Sequence, residues 1–202
     1  MISPSGCIDW LCCPRFDSPA IFSALLDNEG GPFALCPEGS FATSRRYIDE
    51  SAVLQTLFSA TDAEFVLTDA MPIYTSMKQS ALLTPEHEIV RTLVCKRGEG
   101  VVALRFEPRT GFAQWNDRLR SRGKLGIRFE TGLGLLTLNC SMPVQLDEGR
   151  QRATGVMRMR AGDSVHCSLT WTADAPAVLH TSSAQMAPKA RWRTRSQRAS
   201  PP

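Results

Sequence analysis

From residue 8 to residue 171 the chain is a succession of short apolar stretches cut apart by Gly, Pro, Asn and Asp. That punctuation leaves little room for helices of ordinary length and points to antiparallel sheet. Residues 8–12 (IDWLC) form a compact run that Pro14 stops. Residues 44–48, 52–58 and 64–69 read as successive strands. Both faces of the 52–58 segment carry mixed side chains, as expected of a sheet covered on each side. Three hairpins are predicted. The first joins 88–95 to 101–107 through Lys96-Arg97-Gly98-Glu99-Gly100, and the second joins 126–130 to 135–140 through Thr131-Gly132-Leu133-Gly134. The third joins 152–160 to 164–171 and turns at Ala161-Gly162-Asp163. The best helical candidate is residues 20–26 (AIFSALL), because Pro19 suits a first turn. Residues 110–124 are polar and read as a connecting loop or short helix. The expected fold class is all-β: an antiparallel sandwich over residues 1–172.

After Trp171 the pattern stops. Residues 173–202 are rich in Ala, Ser, Pro and Arg and lack any amphipathic period, so a disordered basic tail is expected. The tail also explains the charge. The formal net charge is +3, from 23 basic and 20 acidic residues, but Lys189, Arg191, Arg193, Arg195 and Arg198 all follow the last acid, Asp174. Without them 18 bases face 20 acids, so the body gives no reason to expect a nucleic-acid partner. No apolar run approaches the roughly 18–20 residues that cross a bilayer. The start, Met-Ile-Ser-Pro-Ser-Gly, lacks the basic and apolar regions of a secretory signal. The seven cysteines are odd in number and contain no CxxC, which argues against a disulfide framework or a zinc knuckle. Reduced thiols in a cytoplasmic protein without metal or cofactor are the expectation.

Signatures of catalysis are scarce. His87-Glu88-Ile89-Val90-Arg91 opens like a zinc-binding HExxH, but Arg91 stands where the second histidine belongs, at a strand start rather than on a helix. Gly132-Leu133-Gly134 fits a turn better than a phosphate loop. The densest stretch is residues 6–26, where Trp10, Phe16 and Phe22 alternate with Asp9, Arg15 and Asp17 between two prolines. Two readings stand. Trp10, Arg15, Phe16 and Asp17 can form a binding surface, with Trp10 stacking on a sugar ring and the charged pair orienting a hydroxyl. Alternatively, Trp10 and Phe22 are core, and Arg15 and Asp17 are an ion pair closing a Pro-bounded turn. Glycosidic hydrolysis needs two carboxylates at a set separation, and no spacing among the 20 acids singles out a pair.

The string Ile8-Asp9-Trp10-Leu11-Cys12-x-Pro14-Arg15-Phe16-Asp17-Ser18-Pro19 resembles the N-terminal signature of bacterial glycoside hydrolase family 15 proteins of the trehalase-like and glucoamylase-like group. Gly30-Gly31-Pro32-Phe33, Arg45-Arg46-Tyr47, Ala52-Val53-Leu54-Gln55-Thr56, Thr68-Asp69-Ala70-Met71-Pro72 and Ile89-Val90-Arg91 resemble its following blocks, in order. The segments 105–109, 126–134 and 161–163 extend the likeness, which runs from Gly6 to Trp171. The resemblance implies an N-terminal super-β-sandwich. Hydrolysis of α-glucosides such as trehalose or maltodextrins would then belong to a separate α/α barrel carrying two glutamates. No residue here matches either glutamate, so no catalytic residue is assigned; the implied partners are that barrel and α-glucoside sugars. Two departures accompany the likeness. The family's strand before the Ile8-Asp9-Trp10 block has no counterpart, and the tail does not resemble the family's linker helix. Either a truncated or frameshifted product or a stand-alone domain accounts for both.

Overall fold

The computed structural model describes residues 1–72, 87–110 and 118–173. Fifteen strands are found among them, in two large antiparallel sheets and one small ribbon. The five-stranded sheet contains β1 (Cys7–Ile8), β4 (Phe33–Pro37), β9 (Glu99–Phe106), β14 (Arg152–Arg160) and β13 (Gln145–Asp147), in that spatial order. The eight-stranded sheet starts with β10 (Arg118–Ser121), β11 (Ile127–Thr131) and β12 (Gly134–Cys140). It continues through β15 (Ser164–Thr172), β8 (His87–Arg97) and β7 (Glu64–Ala70) to β6 (Leu54–Ser59) and β5 (Ala42–Tyr47). The ribbon pairs β2 (Leu11–Cys12) with β3 (Ala20–Phe22).

The two sheets face one another over a single apolar core. Strict alternation supplies it: Phe65 and Leu67 from β7, Ile89, Leu93 and Cys95 from β8, and Val165, Cys167 and Leu169 from β15 point inward. Phe33, Leu35, Val102, Leu104 and Phe106 meet them from the five-stranded sheet. A period of two is what puts one set of side chains on one face. Phe22 from the ribbon closes one end, with ring centroids 6.1 Å from Phe33 and 5.8 Å from Phe106; Phe33 and Phe106 are 5.4 Å apart, edge to face.

The antiparallel sandwich predicted from the turn spacing is what forms, but two of the three hairpins do not. β8 pairs with β7 and β15, whereas β9 pairs with β4 and β14. The chain therefore leaves one sheet at Arg97 and enters the other at Glu99. Gly98 makes this crossing with φ at +72°, and a Cβ there would lie 1.8 Å from the carbonyl oxygen of Asp62, so no other residue fits. The segment from β14 to β15 crosses in the same way at 161–163. The two crossings are tied by backbone hydrogen bonds, Ala161 N–H to Gly98 O at 2.8 Å and Cys95 N–H to Asp163 O at 3.0 Å. A turn signal specifies that the chain reverses; it does not specify which sheet receives the next strand. Only the second hairpin, β11 with β12, is paired as predicted.

The helix expected over 20–26 is also absent. Ala20, Ile21 and Phe22 are all buried in a strand paired with Leu11 and Cys12, and the chain then turns. Seven residues are too few to offset helix nucleation, and burial on every side favours the extended form. In the 110–124 segment, residues 118–121 are a strand and Gly123–Leu125 a single 3-10 turn, with residues 111–117 outside the described set. β15 ends at Thr172; of the tail expected over 173–202, all but Ala173 lies outside the described residues.

Candidate functional site

The loop that joins β2 to β3 carries Arg15, Phe16 and Asp17, and Trp10 lies just before β2. Between β2 and β3 the chain runs through a cis Cys13–Pro14 peptide and a tight turn, in which Ser18 N–H donates to Arg15 O at 3.1 Å and Arg15 N–H to Ser18 Oγ at 3.1 Å. The Arg15 guanidinium grips Asp17 with two parallel bonds, Nε to Oδ1 at 2.9 Å and Nη2 to Oδ2 at 3.0 Å. Fork-to-carboxylate pairing of this kind fixes geometry, although both side chains are exposed enough that it adds little stability. Phe16, held between the two, is 90% exposed. Trp10 is half-buried, while Phe22 is fully buried. The structure thus gathers Arg15, Phe16 and Asp17 at one turn tip, with the two charges satisfying each other.

Beneath the ribbon, sequence reading missed the most unusual group in the domain. Arg91, on β8, is fully buried. Its Nε donates to Asp69 Oδ1 at 2.7 Å within the eight-stranded sheet. Nη1 donates to Phe33 O in the opposite sheet and Nη2 to Gly6 O, just before β1 of that sheet, both at 2.7 Å. Its guanidinium carbon also sits 4.9 Å from the centre of the Phe33 ring. One side chain therefore bonds both sheets. Two signals marked it: a charge at an inward position of an otherwise apolar strand, and an acid, Asp69, at the inward position of the strand beside it.

The other buried carboxylates are likewise engaged. Glu107 receives both arms of Arg105, at 2.7 and 3.0 Å, and lies 3.5 Å from Arg152. Glu88 accepts from Ser168 Oγ at 2.6 Å. Both carboxylates of a hydrolytic pair must be free to meet substrate and water, and none of these three is. His87 leans on Trp171, with ring centroids 5.6 Å apart. Among the described residues no three His, Cys, Asp or Glu side chains gather into a metal site. Burial pushes the thiols of Cys7, Cys36 and Cys95 up, which keeps them protonated and poor nucleophiles.

A cleft of about 410 Å³ opens beside Arg45, Arg46 and Tyr47, floored by Ile8, Leu54 and Ile89. Arg45 donates to Ile2 O at 2.7 Å and Arg46 is held by Gln55, so both guanidinium groups are occupied. No helix among the described residues is long and apolar enough to cross a membrane.

The sequence profile described as "Trehalase-like, N-terminal" matches residues 1–190. A trehalase from Mycobacterium tuberculosis is 31% identical over 194 residues, which cover 87% of this chain and 28% of that protein. Trehalase 1 of Sulfolobus acidocaldarius is 41% identical over 163 residues, 80% of this chain and 26% of that one. A solved structure, a putative kojibiose phosphorylase from the human microbiome, covers 75% of this chain and 23% of its own at a TM-score of 0.42 and 10% identity. The chain spans little more than a quarter of the length of the trehalases it matches. The profile, its extent and these relatives agree: the chain belongs to the trehalase-like N-terminal family.

Proposed function

We propose that this sandwich is the structural, non-hydrolytic N-terminal domain of a trehalase-type α-glucoside hydrolase of glycoside hydrolase family 15. It would serve carbohydrate metabolism by docking an α/α-barrel catalytic domain. The observation that carries this reading is that each buried carboxylate among the described residues (Asp69, Glu88 and Glu107) is occupied by an internal partner, in a domain whose relatives are trehalases. Among the described residues, none of these three buried carboxylates is left free to protonate a glycosidic oxygen or activate a water. Cysteines held protonated by burial fit a reducing compartment, and we place the protein in the cytoplasm.

The docking point in this account is the turn of Arg15, Phe16 and Asp17. A phenylalanine so exposed, presented by a turn locked from both sides, is a rigid anchor of the kind that dominates domain contacts. Because Arg15 and Asp17 bond each other, the turn offers a fixed apolar tip more than free polar groups for a sugar hydroxyl. The test is calorimetric titration of the chain into the catalytic portion of the M. tuberculosis trehalase. Phe16→Ala weakens binding by about 30-fold, as loss of an anchor worth ~2 kcal/mol requires, and leaves the thermal midpoint unchanged. Absence of binding, or equal affinity in the variant, contradicts the assignment.

A further inference from the structure

Cys140 and Cys167 are opposed residues on β12 and β15, with their sulfur atoms 2.7 Å apart. That separation is closer than the about 3.5–4.0 Å at which unbonded atoms rest. The backbone register explains why they meet. Ser141 N–H donates to His166 O at 2.9 Å, which makes 141 and 166 a hydrogen-bonded pair. The alternation of an antiparallel ladder then makes 140 and 167 the adjoining non-hydrogen-bonded pair. There the α-carbons are only about 4.5 Å apart and side chains lie closest, a spacing within the range that a disulfide spans.

We propose that Cys140 and Cys167 are an oxidation site, closing to a cross-strand disulfide when the protein meets a hydroperoxide. Cys140 is the entry point because it is partly exposed, whereas Cys167 is buried. The Cys167 thiol hydrogen-bonds the neighbouring sulfur, which pulls the Cys140 thiol below its usual value, while burial pushes Cys167 above it. The Cys140 thiolate attacks the peroxide oxygen, the O–O bond breaks, and one equivalent of water (an alcohol, for an organic peroxide) leaves with the thiol proton. The Cys167 sulfur then displaces the hydroxyl of the resulting sulfenic acid, forming the S–S bond and a water. The two sulfurs together lose two electrons, and the two peroxide oxygens gain them.

The location gives the bond a structural effect. Asp69, Arg91, Cys167 and Cys140 are successive register partners across β7, β8, β15 and β12. A disulfide would extend the inter-sheet anchor at Arg91 covalently to the strand that carries β10 and β11. Reduction by a cellular thiol would reverse it.

The test is treatment of the folded chain with hydrogen peroxide, followed by blocking with iodoacetamide in denaturant and tryptic mass spectrometry. Cys140 and Cys167 fall in separate peptides, 129–150 and 161–189, with no other cysteine in either. The expected result is one linked peptide pair, two hydrogens lighter than the sum of its parts, released by dithiothreitol and absent from Cys140→Ser. Recovery of both peptides separately alkylated, or of Cys140 as sulfinic acid beside an alkylated Cys167, overturns the proposal.

Discussion

Arg91→Met lowers the unfolding free energy by about 3–5 kcal/mol, the loss that follows when one member of a buried ion pair is removed. The effect has two physical parts. Asp69, 3% exposed, is left as an uncompensated charge. The carbonyls of Phe33 and Gly6 each lose a short hydrogen bond from the guanidinium, although Gly6 O keeps its bond from Leu35 N–H at 3.3 Å; each bond lost is worth about 0.5–1.5 kcal/mol. The double variant Asp69→Leu/Arg91→Met separates the parts. It removes the stranded charge and recovers some of the loss, but the guanidinium's bonds to Phe33 O and Gly6 O are not restored and full stability does not return. Urea unfolding followed by the chain's tryptophan fluorescence checks both. A single-variant loss below about 1 kcal/mol would show that Arg91 does not hold the sheets together.

Phe106→Ala costs a similar amount, about 3–5 kcal/mol, by a different route. Its ring is fully buried and sits edge to face against both Phe33 and Phe22, so truncation opens a cavity where the five-stranded sheet meets the ribbon. The ribbon is short, and much of its attachment is the burial of Ile21 and Phe22. The expected signature is therefore twofold: a lower urea midpoint, and faster hydrogen exchange at β2 and β3 than at β8. Uniform exchange across all strands would mean that the ribbon is anchored elsewhere. The contrast with Phe16 is instructive. In the sequence the two phenylalanines look alike; Phe106 carries stability and Phe16 is exposed to solvent.

Much of this fold was legible in the chain, and the failures have identifiable causes. The two-residue turn Gly132-Leu133 sits between strands that pair with each other, so local chemistry and tertiary outcome agree. At Gly98 and Gly162 the same chemistry reverses the chain, but the strands on either side join different sheets. That outcome depends on long-range pairing with β4, β7, β14 and β15, which no local window contains. Residues 20–26 read as a helix because the prolines and apolar content allow one, until the ribbon buries three consecutive side chains. At the candidate site, the Arg15–Asp17 clamp was readable because its partners are two residues apart. The Arg91 anchor was not, because two of its acceptors are backbone carbonyls 58 and 85 residues away. A side chain's polarity can flag such a residue, but carbonyl acceptors leave no mark on the sequence.

The function proposed above, a domain that supports hydrolysis without performing it, rests on the buried acids of the described residues being engaged by Arg91, Arg105 and Ser168. The most direct measurement is glucose release from trehalose by the purified chain, assayed at high protein concentration across the acid-to-neutral range. The account predicts a rate indistinguishable from buffer at every pH. Turnover that rises in proportion to protein concentration and survives further purification would contradict it.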